Sequence, residues 1–367
     1  MKARKIIAPA VCTAVILTVG YLLQALLVPK YISEAREGNL IAEYYSSPKN
    51  HDVIFVGDCE IYENIDPVAL YDGYGISSYL RGSPQQLTWM SYCLMEETLK
   101  YEKPKAFVFS VLALKYGEPQ SEAYNRLAFD GMKLSAAKIR GINASVTEGE
   151  DRLSYLLPIL RFHSRWSELD ANDFRYMLKK KPTVSAAGYV PRIDVKGTDF
   201  FPKGQELADY RFSDRCYEYL DKMVKLCREN GVKLIFVKAP SISPYWYDEW
   251  EEQVTEYAAK NGIPYYNFLE MQDRTGIDYM TDTYDAGLHL NHAGAGKLTA
   301  VLGELLSADL SLTDHRGDRE YDSAWDSIRR FRDGVIEYQK KELAETGKIS
   351  GITTSPDNRI NGKGTES

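Results

Sequence analysis

Asp52-Val53-Ile54-Phe55-Val56-Gly57-Asp58-Cys59-Glu60 is the stretch that decides how this chain is read. Its unbroken apolar run, rich in β-branched residues, predicts a central parallel strand over 52–57, buried on both faces. The run stops at Gly-Asp and a thiol follows at once. Ligands of open parallel sheets gather beyond the carboxyl ends of the strands, so the Cys59 sulfur is expected at that edge.

Working outward, 76–80 predicts a second strand, closed by Arg81-Gly82-Ser83-Pro84. Further strands are expected over 105–112, 233–237 and 263–268. Helical periodicity marks 85–101, 213–230, 246–261 and 295–306. Strands alternating with helices imply a three-layer α/β fold around a mainly parallel five-stranded sheet with right-handed crossovers. Residues 121–203 break the alternation. They hold helical stretches, Lys179-Lys180-Lys181 and a turn-rich part, 188–204, and are expected to form an insertion that closes over the site or binds a partner. From 313 to 367 the chain is strongly charged, expected as a solvated helix over 321–346 followed by disorder.

The N-terminus carries its own signal. Residues 6–28 are uncharged and mostly apolar, long enough to cross a bilayer as a helix. Lys2, Arg4 and Lys5 precede them, so the positive-inside rule keeps the N-terminus in the cytoplasm and exports the rest. A cleaved signal peptide is the rival reading. This divides the chain into an anchor (1–30), a stalk (31–50), a main domain (51–312, with the insertion inside it) and a charged tail. The net charge of −7 argues against nucleic acid as a partner. The 27 tyrosines suit packing or, more sharply, platforms for sugar rings.

Five cysteines are present, with no C-x-x-C spacing, so no metal site or other cofactor is expected. Cys216 and Cys227 share one expected helix, roughly 16 Å apart at helical rise, beyond disulfide reach. Cys93 and Cys227 read as core. Downstream, Asp285-Ala286-Gly287-Leu288-His289-Leu290-Asn291 places a carboxylate and an imidazole before a Gly-containing helix start. A Cys–His pair is competent for acyl transfer, because imidazole takes the thiol proton and a carboxylate steadies the imidazolium. The blander reading of Cys59 is a small buried hydrophobe. His292 is the second choice of base and Asp282 the second choice of carboxylate; His51, His163 and His315 are expected as ordinary surface residues.

The Gly-Asp-x-Glu block and the Asp/His-Leu-Asn block, in this order over about 50–310, resemble the SGNH/GDSL hydrolase family, in its membrane-anchored cell-envelope branch. The resemblance puts Cys59 where the family has its nucleophilic Ser, with His289 as base. It also implies an oxyanion hole from the Cys59 amide, Gly82 and, where the family has Asn, Ser110. The family spacing Asp-x-x-His falls on Ala286, so Asp285 needs a one-residue bulge to reach the imidazole. Gln85 and Lys238 are candidate substrate contacts, Lys238 equally well a solvated strand-end lysine. The function so implied is an extracytoplasmic esterase or O-acyltransferase acting on an acylated envelope glycan, similar in architecture to proteins that move D-alanine onto teichoic acids. A membrane O-acyltransferase is then an expected partner. The Cys and Ser departures keep a second expectation open: a catalytically impaired envelope scaffold or glycan-binding protein.

Overall fold

The computed structural model describes residues 2–29, 37–178 and 183–349. Lys179-Lys180-Lys181, part of the stalk and the final residues of the tail therefore lie outside the described residues. Five strands, β1 (Val53–Gly57), β2 (Ser78–Gly82), β3 (Ala106–Ser110), β4 (Lys233–Lys238) and β5 (Tyr265–Asn267), form one all-parallel sheet in the order β2-β1-β3-β4-β5. Every residue of β1, β2 and β3 is buried, as a sheet covered on both faces requires. Helices Thr88–Thr98 and Asp214–Asn230 pack against each other over β1 and β4. Cys59–Asn64, Pro67–Tyr74 and His292–Asp309 cover the opposite face. The chain leaves β1 towards β2 on one side and then returns to β3 on the other, so the order reverses beside β1, the place at which open parallel sheets generally bind ligands.

The strand β2 runs two residues further than expected, through Arg81-Gly82. Arg81 is fully buried there, and its guanidinium donates to Leu94 O (2.9 Å) and Thr98 Oγ1 (2.7 Å) and lies over the Tyr44 ring. With these partners and the Glu97 carboxylate at 3.9 Å facing its charge, it is accommodated in a buried strand. The strand β3 is shorter than 105–112, because 111–115 turn into a 3-10 segment. The helix expected over 295–306 starts at His292 and runs to Asp309, capped by Asn291, whose Oδ1 accepts from Ala293 N and Gly294 N at 3.1 Å.

The tail departs most from its solvated reading. Its helix Arg319–Thr346 lies on the domain: Trp325 is buried and stacked on Tyr71 at 4.9 Å, and Gln339 is fully buried, donating to Pro191 O and accepting from Ile193 N. Arg332 pairs with buried Asp66 at 2.8 Å. The apolar positions Trp325, Ile328, Val335 and Ile336 recur at helical spacing, a stripe outvoted by the surrounding charge. His51 and His315 are likewise not plain surface groups. His51 is buried against Glu102 at 3.0 Å, and His315 stacks on Tyr321 and meets Asp52 at 2.9 Å.

The segment 121–203 divides by destination. Its first helices, Glu122–Phe129 and Ala136–Ser145, pack on the domain, and those between 152 and 175 gather at the base of the N-terminal helix. Its later residues, 184–198, reach the carboxyl edge of the sheet. Lys2–Leu27 forms one helix whose segment Pro9–Leu27, mean hydropathy 2.1, is long and apolar enough to cross a membrane as an anchor or to serve as a signal sequence.

Candidate active site

Gly57 ends β1 with φ +155°, and a Cβ there would stand 2.6 Å from the Ser110 Cβ and 2.8 Å from Ile61. Only a glycine lets β1 pass this close to β3 and turn immediately into a helix. Asp58 caps that helix, Cys59–Asn64, by accepting from Glu60 N, while its carbonyl takes Ile61 N at 3.1 Å. Neither of these bonds uses the Cys59 N–H, which heads the helix. Cys59 is half-buried and unbonded to any other cysteine.

The imidazole comes from the segment before His292–Asp309. Thr283 and Leu290 pair across an antiparallel bridge, and between them Ala286 (φ 65°) and Gly287 (φ 88°) take two successive left-handed conformations. This is the extra-residue bulge that Asp285 needs. Asp285 Oδ1 accepts from His289 N at 2.7 Å, and Oδ2 meets Nδ1 at 2.6 Å. Lys196 O holds Ala286 N, and Ile242 N donates to Gly287 O, so the turn is clamped from two sides. His289 is 8% exposed, and with Nδ1 taken, its Nε2 is buried without a hydrogen-bond partner. Cys59 and His289 each influence the other's protonation, so the thiol is a neighbour of the ring together with Asp285.

The charges around the pair are uneven. Burial, then the Asp58 carboxylate, push the Cys59 thiol up to about 11, offset in part by His289. Desolvation alone would lower the His289 imidazole, yet Glu63 and Asp285 outweigh it and raise it to about 12. Burial and neighbouring Glu60 push Asp58 up as well. Around neutral pH these directions favour a protonated imidazole beside a neutral thiol. Such a site is stocked to stabilise an imidazolium and is slow to create a thiolate.

Glu63 was not foreseen, although the pattern contains it: it stands four residues after Cys59 on one helix, hence on the same face. Its Oε2 lies 3.6 Å from His289 Nδ1 and accepts from the Tyr284 hydroxyl, and the Tyr284 ring stacks on the imidazole. Asn64 Oδ1 accepts from Leu290 N at 2.8 Å, tying the Cys59–Asn64 helix to the segment that carries His289. Lys115 and Tyr116, just beyond β3, feel the charges of Asp58 and Cys59, and burial lowers the Lys115 pKa. Their position after a strand end was the only available cue.

Other candidate residues fall elsewhere. Lys238 is fully buried and ion-paired with Glu60 at 2.6 Å, with further bonds to Ala239 O and Ser241 O; it faces no substrate. Ser110 is fully buried and gives its hydroxyl to Glu60 Oε2 at 3.2 Å, so it is engaged rather than poised as an oxyanion donor. Gly82 lies beside the start of the Cys59–Asn64 helix, where a Cβ would meet Asp58 O at 3.2 Å. Gln85, with φ 47°, sits beyond β2 and reaches Tyr116. His292 faces Tyr189 and Asp66, and Asp282 pairs with Lys297, so neither joins Cys59. A cavity of about 420 Å³ adjoins His292 and the tail helix, lined by Ile193, Asp333 and Lys340, apart from the thiol.

No protein-family description matches the chain, and no curated protein matches it. Among solved structures it is similar to one titled a GDSL-like lipase, from Bacteroides thetaiotaomicron VPI-5482. The identity is 12%, covering 75% of this chain and all of the other, with a TM-score of 0.36. It is also similar to one titled an acylhydrolase, from Bacteroides fragilis NCTC 9343, at 12% identity over 72% of this chain and 90% of the other, TM-score 0.35. At that distance the functional reading rests on the geometry of the site itself.

Proposed function

We propose that this protein is a membrane-anchored, extracytoplasmic esterase or O-acyltransferase that acts on an acylated cell-envelope glycan through a Cys59 acyl-enzyme. The observation that carries the reading is the Asp285–His289 pair with its unpartnered Nε2 near Cys59, at the carboxyl edge of β1 where the strand order reverses. In the first half-reaction Cys59 Sγ bonds to the ester carbonyl carbon, and its proton passes to His289 Nε2. The C–O bond then breaks, and the leaving alkoxide takes that proton. In the second, water or a sugar hydroxyl attacks the thioester, the C–S bond breaks, and the thiol regains a proton through His289. The Cys59 N–H is the supporting oxyanion donor, with Gly82 beside it. The N-terminal helix is read as a retained span with Lys2, Arg4 and Lys5 inside, and a membrane O-acyltransferase as the source of acyl groups.

A second reading, a non-catalytic glycan-binding or scaffold protein, is favoured by the engaged Ser110 hydroxyl and the raised thiol. The full chain in detergent, mixed with a short-chain p-nitrophenyl ester and quenched within seconds, separates the two. An acyl mass increment on Cys59 with p-nitrophenol release supports the enzyme. Wild-type turnover equal to that of Cys59→Ala discards it in favour of the scaffold.

A further inference from the structure

The helices of the insertion between 152 and 175 present an apolar surface that no other part of the described chain covers. Leu153 is 60% exposed, Leu157 51%, Trp166 72% and Phe174 60%. Leu153 lies on the helix Arg152–Leu156, Leu157 just after it, Trp166 on His163–Ser167 and Phe174 on Ala171–Arg175; the last two elements and Ile159–Phe162 pack against the N-terminal helix. Four large apolar side chains this open within 22 residues of one small helical cluster call for an occupant.

The place of this patch indicates the occupant. Arg165 Nη1 donates to Leu27 O, the last carbonyl region of the apolar helix, at 2.7 Å, and Arg165 Nη2 holds Asp173 at 2.7 Å. Leu27 itself is buried under these elements, whereas Val15, Ile16 and Leu17 further back along the helix are more than half exposed. The insertion is thus tied to the turn where the span ends, which is the level of the lipid headgroups if the span is retained. Trp and Phe side chains at that level are suited to the interface, with an apolar body and, for Trp, one N–H donor. Charge contributes little. Residues 152–175 carry four arginines against three carboxylates, and Arg161 and Arg165 are already paired with Glu122 and Asp173.

We infer that the insertion rests on the outer leaflet of the membrane, burying Trp166, Phe174, Leu153 and Leu157 among headgroups and upper acyl chains. The domain then has two bilayer contacts, span and patch, which fix its tilt rather than leaving it free on a stalk. The inference rests on the retained-span part of the proposed function and not on Cys59 chemistry.

The test uses the full chain in phosphatidylcholine nanodiscs containing lipids brominated on the upper acyl chain. Trp89, Trp246 and Trp325 are buried and Trp250 is half-buried, so Trp166 is the open indole. Bromolipid is expected to quench wild-type tryptophan fluorescence, with most of that quenching gone in Trp166→Phe and regained when Phe174→Trp is added. Raising the salt to 0.5 M should leave it unchanged. A protein that stays in the disc yet shows no quenching, or shows the same quenching in Trp166→Phe, overturns the inference and points to a protein partner for the patch. A protein that leaves the disc on washing overturns the retained span, and this inference with it.

Discussion

Two polar groups lie within one helix turn of each other at the carboxyl edge of β1, and they differ in how completely they are satisfied. Below Cys59, Glu60, Lys238, Ser110 and the Ala239 amide close on one another, all fully or nearly fully buried. Above it, His289 gives Nδ1 to Asp285, is flanked by Glu63 and Tyr284, and keeps Nε2 without a partner. The saturated cluster has no valence left for a ligand, and its work is to hold β4 against the helix Cys59–Asn64. The unsaturated one retains a donor or acceptor site facing a thiol. In a buried setting the incompletely paired group is the one that can do chemistry, because every completed hydrogen bond there is expensive to break.

This contrast can be broken at either group. The largest effect is expected above: Cys59→Ala should abolish ester turnover and Cys59→Ser retain part of it, both with a melting temperature near wild type, read by p-nitrophenol release and thermal unfolding. Below, Lys238→Met leaves Glu60 buried and unpaired, which should cost about 3–5 kcal/mol of stability. Adding Glu60→Gln should recover part of that loss in urea unfolding. If Lys238→Met instead kept stability and lost only substrate affinity, the cluster would belong to the binding site after all.

A third prediction sharpens the electrostatics of the upper group. His289 must lose its proton before it can act as base, and Glu63 and Asp285 favour the protonated form. Activity is therefore expected to climb with pH into the alkaline range. Glu63→Gln removes one of the two carboxylates, so its rising limb should move to lower pH while the Asp285 bond keeps the ring in place. The same raised pKa makes His289 stabilise the fold below its unfolded value near 6.5, a contribution lost as pH rises towards about 12. A pH–rate profile identical in wild type and Glu63→Gln would show that Glu63 only positions the ring through Tyr284. The smallest effect concerns the bulge. Ala286 at φ 65° carries left-handed strain of about 1–2 kcal/mol that Gly would relieve, against the greater freedom Gly has when unfolded. Ala286→Gly should change stability by under about 1 kcal/mol in urea and leave turnover intact.

The strand over 53–57, the alternation that follows it and the two motif blocks were legible in the residues, because period and apolar run length are local properties. The β2 boundary was not, since Arg81 reads as a turn residue until Leu94, Thr98 and Tyr44 supply its partners. Nor was the docking of Arg319–Thr346, whose apolar stripe is diluted by charge and whose receiving surface, Tyr71 and Asp66, lies some 250 positions earlier.

For the site the division is similar. Cys59, His289 and Asp285 were visible as residue types at telling positions, and so was the one-residue excess in the Asp–His spacing. Tertiary structure alone decided that Ala286 and Gly287 would absorb that excess, and that Glu63 would become a second carboxylate at the imidazole. It also turned Lys238 inward and closed the Ser110 hydroxyl on Glu60. The reason is physical: a side chain's chemistry is written in its type, but its protonation and its free valences depend on what packing brings within about 3–4 Å, and those neighbours come from distant parts of the chain.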